Sequence, residues 1–117
     1  MSRRGQNLLI FGVTAAISCV FIINLCATIY QCGCTFAWAG GNDHCNIHVP
    51  SAKHCPWCSI GNSGFAAVLG IIVAAQAFVT FKLPVSWPAR LGAALATFPL
   101  VGGIEALIIG WATGYWR

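Results

Sequence analysis

The sequence predicts an all-α membrane protein with three transmembrane helices and a compact loop, rich in cysteine and histidine, between the first two. Two observations lead to this fold class. The 117 residues are 58% hydrophobic and only 7% charged, whereas a soluble domain carries about a quarter charged residues. The apolar residues also gather in three stretches. A single chain of this length cannot bury so much apolar surface in its own core, so lipid must cover the rest.

Each apolar stretch is expected to be a helix, because backbone polar groups inside lipid must form hydrogen bonds within their own segment. About 20 apolar residues are enough to cross the hydrocarbon layer. The predicted organisation is a single membrane domain over residues 1–117, with a first span at about 8–29, a Cys/His loop at 31–63, a second span at about 65–81, a connecting turn at 82–90 and a third span at about 91–111.

The distribution of basic residues predicts the orientation in the membrane. Four basic residues precede the first span or flank the 82–90 turn, namely Arg3, Arg4, Lys82 and Arg90. Only Lys53 and Arg117 fall on the other side. We therefore expect a cytoplasmic N-terminus in a bacterial inner membrane, with the Cys/His loop facing the periplasm. The basic residues form no run, so lipid is the expected partner and nucleic acid is not.

Small residues recur at every fourth position of the third span: Gly102, Ala106, Gly110 and Gly114. Such a row lets another helix approach closely. It predicts either docking of other integral membrane subunits through the third helix, or packing within the three-helix chain. Both possibilities stay open at this point.

Glu105 is the only acidic residue in a predicted span, and an ionisable group there indicates a functional site or a polar contact between helices. The helical rise places Glu105 about 9 Å from the Trp111 end of its helix and Asn24 about 7 Å from the loop end of the first span. We therefore expect these two polar side chains to meet. Cys19 and Cys26 of the first span are expected to act as small apolar fillers.

The Cys/His loop holds five of the seven cysteines and all three histidines. They form three groups along the chain: Cys32 with Cys34, then His44, Cys45 and His48, then His54, Cys55 and Cys58. The first and last groups adjoin the predicted helix ends, so they should converge just above the membrane. Four apolar side chains are expected to cover them: Phe36, Trp38, Ile47 and Trp57.

A transition-metal site is the first interpretation of this loop. Zinc takes four Cys or His ligands, often from two closely spaced pairs, and Cu(I) takes thiolate and imidazole ligands as well. The predicted ligands are Cys32, Cys34, Cys55 and Cys58, with His44, Cys45, His48 and His54 as substitutes or a second site. Zinc and copper are therefore the candidate metals.

Disulfide stapling is the second interpretation, because an outward-facing loop lies in an oxidising compartment. Five loop cysteines allow two bridges and leave one thiol over. Thiol–disulfide exchange is the third. Cys55-Pro56-Trp57-Cys58 resembles the active-site pattern of glutaredoxins and disulfide oxidases over these four residues. That resemblance implies a redox role for Cys55 and Cys58.

Other chemistries lack the residues they need. A c-type haem requires Cys-x-x-Cys-His, but Ser59 follows Cys58, and no haem is predicted. The chain has no Ser/His/Asp arrangement, phosphate-binding glycine loop or acidic pair, so an autonomous enzyme is not expected. The sequence favours a small accessory subunit of a larger membrane complex, with a loop that binds metal, forms disulfides or both. The alternative is a membrane thiol–disulfide oxidoreductase.

Overall fold

The computed structural model describes residues 2–51, 54–59 and 61–116, without the side chains of Ala37, Asn42, His44 and Asn62. Its elements in chain order are α1 (Arg3–Tyr30), three short 3₁₀ turns, α2 (Pro56–Ser59), α3 (Gly61–Lys82) and α4 (Trp87–Thr113). No strand occurs in the described ranges. Three of the helices are long and apolar enough to cross a membrane, which confirms the all-α class and the prediction of three helices able to span.

The long helices begin earlier than the apolar stretches do. Helix α1 begins at Arg3 because the hydroxyl of Ser2 accepts a hydrogen bond from the Gly5 N–H at 3.2 Å, which satisfies a free donor of the first turn. It ends at Tyr30: the N–H of the next residue, Gln31, still bonds the Ala27 carbonyl at 2.8 Å, and the left-handed backbone of Gln31 (φ 51°) then turns the chain out of the helix. This turn reverses the chain directly before Cys32.

One face of α1 points into the bundle along its whole length. Its buried residues recur every three or four positions: Asn7, Ile10, Thr14, Ser18, Ile22, Cys26 and Tyr30. In the middle of the bundle, the Gln76 amide of α3 donates to the Ser18 hydroxyl at 2.8 Å and to the Ala94 carbonyl of α4 at 3.1 Å. Since few other partners exist inside lipid, this amide ties all three long helices together.

The two ends of the bundle hold different parts of the chain. At one end, the Arg3 guanidinium donates to the Leu83 carbonyl at 3.0 Å, which places the N-terminus beside the α3–α4 turn. At the other end, the Tyr115 hydroxyl donates to the Tyr30 carbonyl at 2.6 Å, which places the residues after α4 beside the loop. Which end is cytoplasmic stays a prediction, and Lys53 and Arg117 lie outside the described residues.

The small-residue face of α4 packs against the chain itself. A Cβ atom on Gly102 would lie 2.5 Å from Leu25 Cδ2 of α1, and one on Gly110 would meet the Trp116 ring. Ala106 is fully buried, and Gly114 ends α4 in the left-handed conformation (φ 71°). The opposite face of α4 exposes large apolar side chains: Leu100, Ile104, Leu107, Ile108 and Trp111.

Candidate metal centre

Six of the seven cysteines lie together where the loop meets the bundle. We call this group the thiol cluster: Cys26, Cys32, Cys34, Cys45, Cys55 and Cys58. The sulfur of Cys26, on α1, lies 3.0 Å from that of Cys55 and 3.8 Å from that of Cys32. The sulfurs of Cys32 and Cys34 are 3.4 Å apart. Side chains from α1, α2 and two separate parts of the loop thus share one small volume.

Within the thiol cluster the sulfurs form trios whose members all lie within 4.8 Å of one another. Three such trios are Cys26/Cys55/Cys58, Cys32/Cys45/Cys55 and Cys34/Cys45/Cys58. The sulfurs of Cys45 and Cys58 are 3.6 Å apart. Each trio offers three soft ligands to one ion, and neighbouring trios share a ligand.

The thiol cluster is buried and contains no disulfide. Cys26 and Cys55 are fully buried, Cys34 is 8% exposed, and Cys58 is the most accessible of the six. All seven cysteines of the chain are free. A disulfide requires sulfurs about 2.05 Å apart, whereas thiolates bonded to one zinc ion at about 2.3 Å lie about 3.8 Å apart. The observed spacing of 3.0–3.8 Å is thus closer to that of shared metal ligands.

The surroundings of the cysteines lower the pKa of some thiols in the cluster and raise the pKa of others. Hydrogen bonding by Cys26 lowers the pKa of Cys55, and the same neighbour lowers the pKa of Cys58 to about 5. Burial raises the pKa of Cys34 and the pKa of Cys45. The two cysteines of the Cys-Pro-Trp-Cys segment therefore become thiolates, the form that binds metals, more readily than Cys34 and Cys45 do.

Asn46 holds the middle of the loop onto the thiol cluster. Its backbone N–H donates to the Cys32 carbonyl at 2.7 Å. Its side-chain oxygen accepts the Cys55 N–H at 2.6 Å, and its amide nitrogen donates to the Tyr115 hydroxyl at 2.9 Å. One side chain thus links three separate chain segments around the cysteines.

Aromatic rings surround the thiol cluster on the side of the bundle. The Tyr30 ring contacts Trp57 edge-on at 5.7 Å, Tyr115 at 5.2 Å and Trp116 at 5.5 Å. The Tyr30 hydroxyl donates to the Ala106 carbonyl at 2.6 Å. Trp57 is fully buried, and its indole N–H has no hydrogen-bond partner in the described part of the chain. These rings exclude water from the cysteines.

The predicted convergence of the outer cysteine pairs is confirmed, since Cys32 lies near Cys55 and Cys34 near Cys58. Cys45 joins them. His48 and His54 are exposed, and the His54 ring lies 3.2 Å from the Val49 carbonyl. A metal-binding role for the histidines stays a prediction. None of the trios named above contains a histidine. The side chain of His44 lies outside the described residues.

Cys26 lies in the hydrophobic core, as expected of an apolar filler, but its sulfur also joins the thiol cluster, which the sequence analysis did not predict. The sequence feature that indicates this contact is the position of Cys26 four residues before Tyr30, at the loop end of α1. Cys19, about two turns away towards the middle of α1, is exposed and free, as a filler on the lipid-facing side would be.

Two further expectations differ from the structure. Both carboxylate oxygens of Glu105 and the side-chain oxygen of Asn24 are buried and lack hydrogen-bond partners among the described residues, so these two side chains do not pair. Of the predicted apolar cover, Trp57 and Ile47 pack in the core. Phe36 and Trp38 are exposed and stack on each other at 4.8 Å instead.

We expect Asn46→Ala to loosen the thiol cluster. The substitution leaves the partly buried Cys55 N–H without its acceptor, which costs about 1–3 kcal/mol. Alkylation of the cluster thiols in the reduced, metal-free protein should then accelerate, measured in a Cys19→Ser background that removes the exposed thiol. Tyr115→Phe is the control, because it keeps the contact between Asn46 and Cys55. Equal acceleration in both variants would show that this contact contributes nothing.

Comparison of the chain with protein-family models, curated proteins and solved structures finds no match.

Proposed function

We propose that the chain is a small integral membrane protein whose thiol cluster binds a transition metal, zinc or copper, and so fixes the loop onto the helices. The observation that carries this proposal is the convergence of six unbridged sulfurs, most of them buried, from separate segments of the chain. Thiolates are soft ligands, and zinc and Cu(I) are among the first-row metal ions that soft ligands select. Ordinary packing does not require six thiols at one point.

The position of the ligands supports a structural role for the metal. Cys26 belongs to a membrane-spanning helix, Cys45 to the middle of the loop, and Cys55 precedes α2 directly. A metal bonded to sulfurs from these segments would lock them together, as structural zinc sites do in small domains. The burial of most of the sulfurs would make exchange of the metal slow.

The proposal extends to the setting of the protein. We propose an accessory subunit of a larger membrane complex in a bacterial inner membrane, with the thiol cluster on the periplasmic side. The Lys and Arg distribution supports this orientation. The exposed apolar face of α4, which includes Ile104 and Ile108, offers a surface for lipid or for a second membrane protein.

Purification in mild detergent tests the accessory-subunit role. Copurification at a fixed ratio with other membrane proteins is the expected result, and a monodisperse single chain would contradict it.

Elemental analysis combined with a thiol count tests the metal site. We expect at least one metal ion per chain after gel filtration, and seven reactive thiols once acid has released it, because protonated thiols no longer bind metal. No metal together with two or more disulfides would leave a purely structural, disulfide-bonded cap. Disulfide exchange at Cys55 and Cys58 in a metal-free protein would favour the oxidoreductase.

A matched pair of serine variants localises the site. Cys45→Ser removes a sulfur shared between two trios. Loss of a residue that only hydrogen-bonds a metal ligand lowers metal affinity by about 10–100-fold, and loss of the ligand itself should lower it by more. Cys19→Ser removes the exposed cysteine outside the thiol cluster and should leave affinity unchanged. Competition with a chromophoric chelator measures both. An equal affinity for the two variants would exclude the thiol cluster as the binding site.

A further inference from the structure

Arg90, in the first turn of α4, is a buried cation with too few hydrogen-bond partners. Its side chain is 1% exposed. One guanidinium nitrogen, Nη2, donates to the side-chain oxygen of Gln6 on α1 at 3.2 Å. The other two, Nε and Nη1, are buried and have no hydrogen-bond partner among the described residues. Since buried polar groups are normally hydrogen-bonded and buried charges are normally paired, this guanidinium requires a further ligand.

The chain itself supplies no counter-ion for Arg90. Arginine keeps its proton inside proteins, and the chain has only two acidic side chains, Asp43 and Glu105. Glu105 lies fifteen residues further along α4, which is about 22 Å by the helical rise. Asp43 belongs to the loop, at the opposite end of the bundle. Arg3, whose charge does act on Arg90, is a second cation. The negative group must therefore come from outside the chain.

An apolar groove opens beside this guanidinium, between the first turns of α1 and α4. It has a volume of about 300 Å³, and its walls expose only apolar surface. Gln6 is part of its wall as well as the acceptor for Arg90. The other lining residues are Leu9, Ile10, Val13, Trp87 and Leu91. Because three of these side chains are 44–57% exposed, the groove is open to the surrounding lipid.

We propose that this end of the bundle binds one anionic phospholipid, with its phosphate on Arg90 and Arg3 and an acyl chain in the groove. The unpaired charge and the apolar groove meet at Gln6, so one molecule with a phosphate and an acyl chain satisfies both. A soluble phosphate would satisfy the charge and leave the groove uncovered. Basic pockets between transmembrane helices are known to hold phospholipid headgroups. This inference goes beyond the metal site and does not depend on it.

The side chains around Arg90 suit a phosphate. Gln6 offers only a neutral oxygen, and a phosphate oxygen makes a stronger, charge-assisted hydrogen bond to a guanidinium. The exposed Arg3 side chain donates to the Leu83 carbonyl at 3.0 Å, and rotation of this side chain brings a second guanidinium to the same phosphate. Trp87, in the wall of the groove, is a residue type that gathers at the level of lipid headgroups. The phosphate would therefore lie at its usual depth.

Native mass spectrometry of the full-length protein, delipidated in a neutral detergent, tests the proposal. The protein is titrated with dioleoyl phosphatidylglycerol or with dioleoyl phosphatidylcholine. The expected result is one phosphatidylglycerol per chain, bound more than about tenfold more tightly than phosphatidylcholine, because charge-assisted hydrogen bonds form only with Arg90 and an unbalanced phosphate. Equal affinities for the two lipids would overturn the proposal.

Two arginine variants localise the phosphate. Arg90→Gln should abolish the preference for phosphatidylglycerol. Arg4→Gln is the matched control, because it removes the same charge from an exposed residue at the same end of the bundle. It should lower the affinity by at most about fivefold, the usual contribution of a basic residue near anionic lipid. Equal losses in the two variants would show that general surface charge attracts the lipid, and would overturn the site at Arg90.

Glycerol phosphate distinguishes a lipid from a soluble anion, since it carries the phosphate without acyl chains. An excess of it should not displace phosphatidylglycerol, and displacement would overturn the lipid assignment. If Arg90→Gln does not fold, Val13→Trp decides the question, because it fills the groove and keeps Arg90. It should weaken phosphatidylglycerol binding, whereas Val20→Trp, at a similarly exposed position of α1 outside the groove, should not. Equal binding by these two variants would overturn the acyl-chain site.

Discussion

Replacing Trp57 by alanine should expose the thiol cluster. The Trp57 side chain is fully buried and packs edge-on against Tyr30, and truncation of a buried Trp to Ala costs about 3–5 kcal/mol. Because α2 has only four residues, it has little stability of its own to offset that loss. We expect the cluster thiols of the reduced, metal-free protein to be alkylated about 10² to 4 × 10³ times faster, since each 1.4 kcal/mol of local opening is tenfold.

Two control variants distinguish the loss of buried packing at Trp57 from the loss of its indole N–H. Trp57→Phe keeps an aromatic ring in the site and removes a buried N–H that has no partner, so its alkylation rate should change by less than about tenfold. Trp38→Ala truncates an indole that is 67% exposed and should change nothing. Both are measured in the Cys19→Ser background. Equal acceleration by Trp57→Ala and Trp38→Ala would show that burial of Trp57 does not protect the cysteines.

The number and type of the helices could be predicted because they depend on local composition. Each span is a long apolar stretch, and lipid leaves a helix as the only option for such a stretch. The helix bounds are harder to predict, because an apolar stretch stops at charged or polar residues through which the helix can continue. Helix α1 in fact includes Arg3 and Arg4 because the Ser2 cap lies before them. Capping decided the boundary, and the apolar pattern alone does not show it.

The thiol cluster could be predicted only in part. Cys32 and Cys34 approach Cys55 and Cys58 because helix ends anchor both pairs, and this follows from sequence order. The inclusion of Cys26 depends on the left-handed Gln31 turn, which folds the chain back over the end of α1. Nothing in the spacing of cysteines indicates that turn. The exposure of His48 and His54 likewise depends on how the loop folds, although their residue type made them plausible ligands.

Gly102→Leu should destabilise the helix bundle. A Cβ atom at this position would lie 2.5 Å from Leu25 Cδ2 and 3.3 Å from Ile72 Cδ1. The tip of Leu25 can rotate away from a methyl group, but a whole Leu side chain must displace α1 or α3. Overpacking of this kind costs about 1–3 kcal/mol. In a titration with sodium dodecyl sulfate followed by circular dichroism, the unfolding midpoint should therefore move to a lower detergent concentration.

The next residue supplies the control. A Cβ atom on Gly103 meets nothing within 4 Å, so Gly103→Leu adds the same side chain without the collision. Both variants gain up to about 1 kcal/mol from replacing glycine in a helix, and the difference between them therefore isolates packing at Gly102. Gly103→Leu should leave the midpoint unchanged or raise it. If both variants keep the midpoint and only Gly102→Leu loses associated membrane proteins, the small-residue face of α4 docks a partner, and its contacts with Leu25 and Ile72 contribute little to stability.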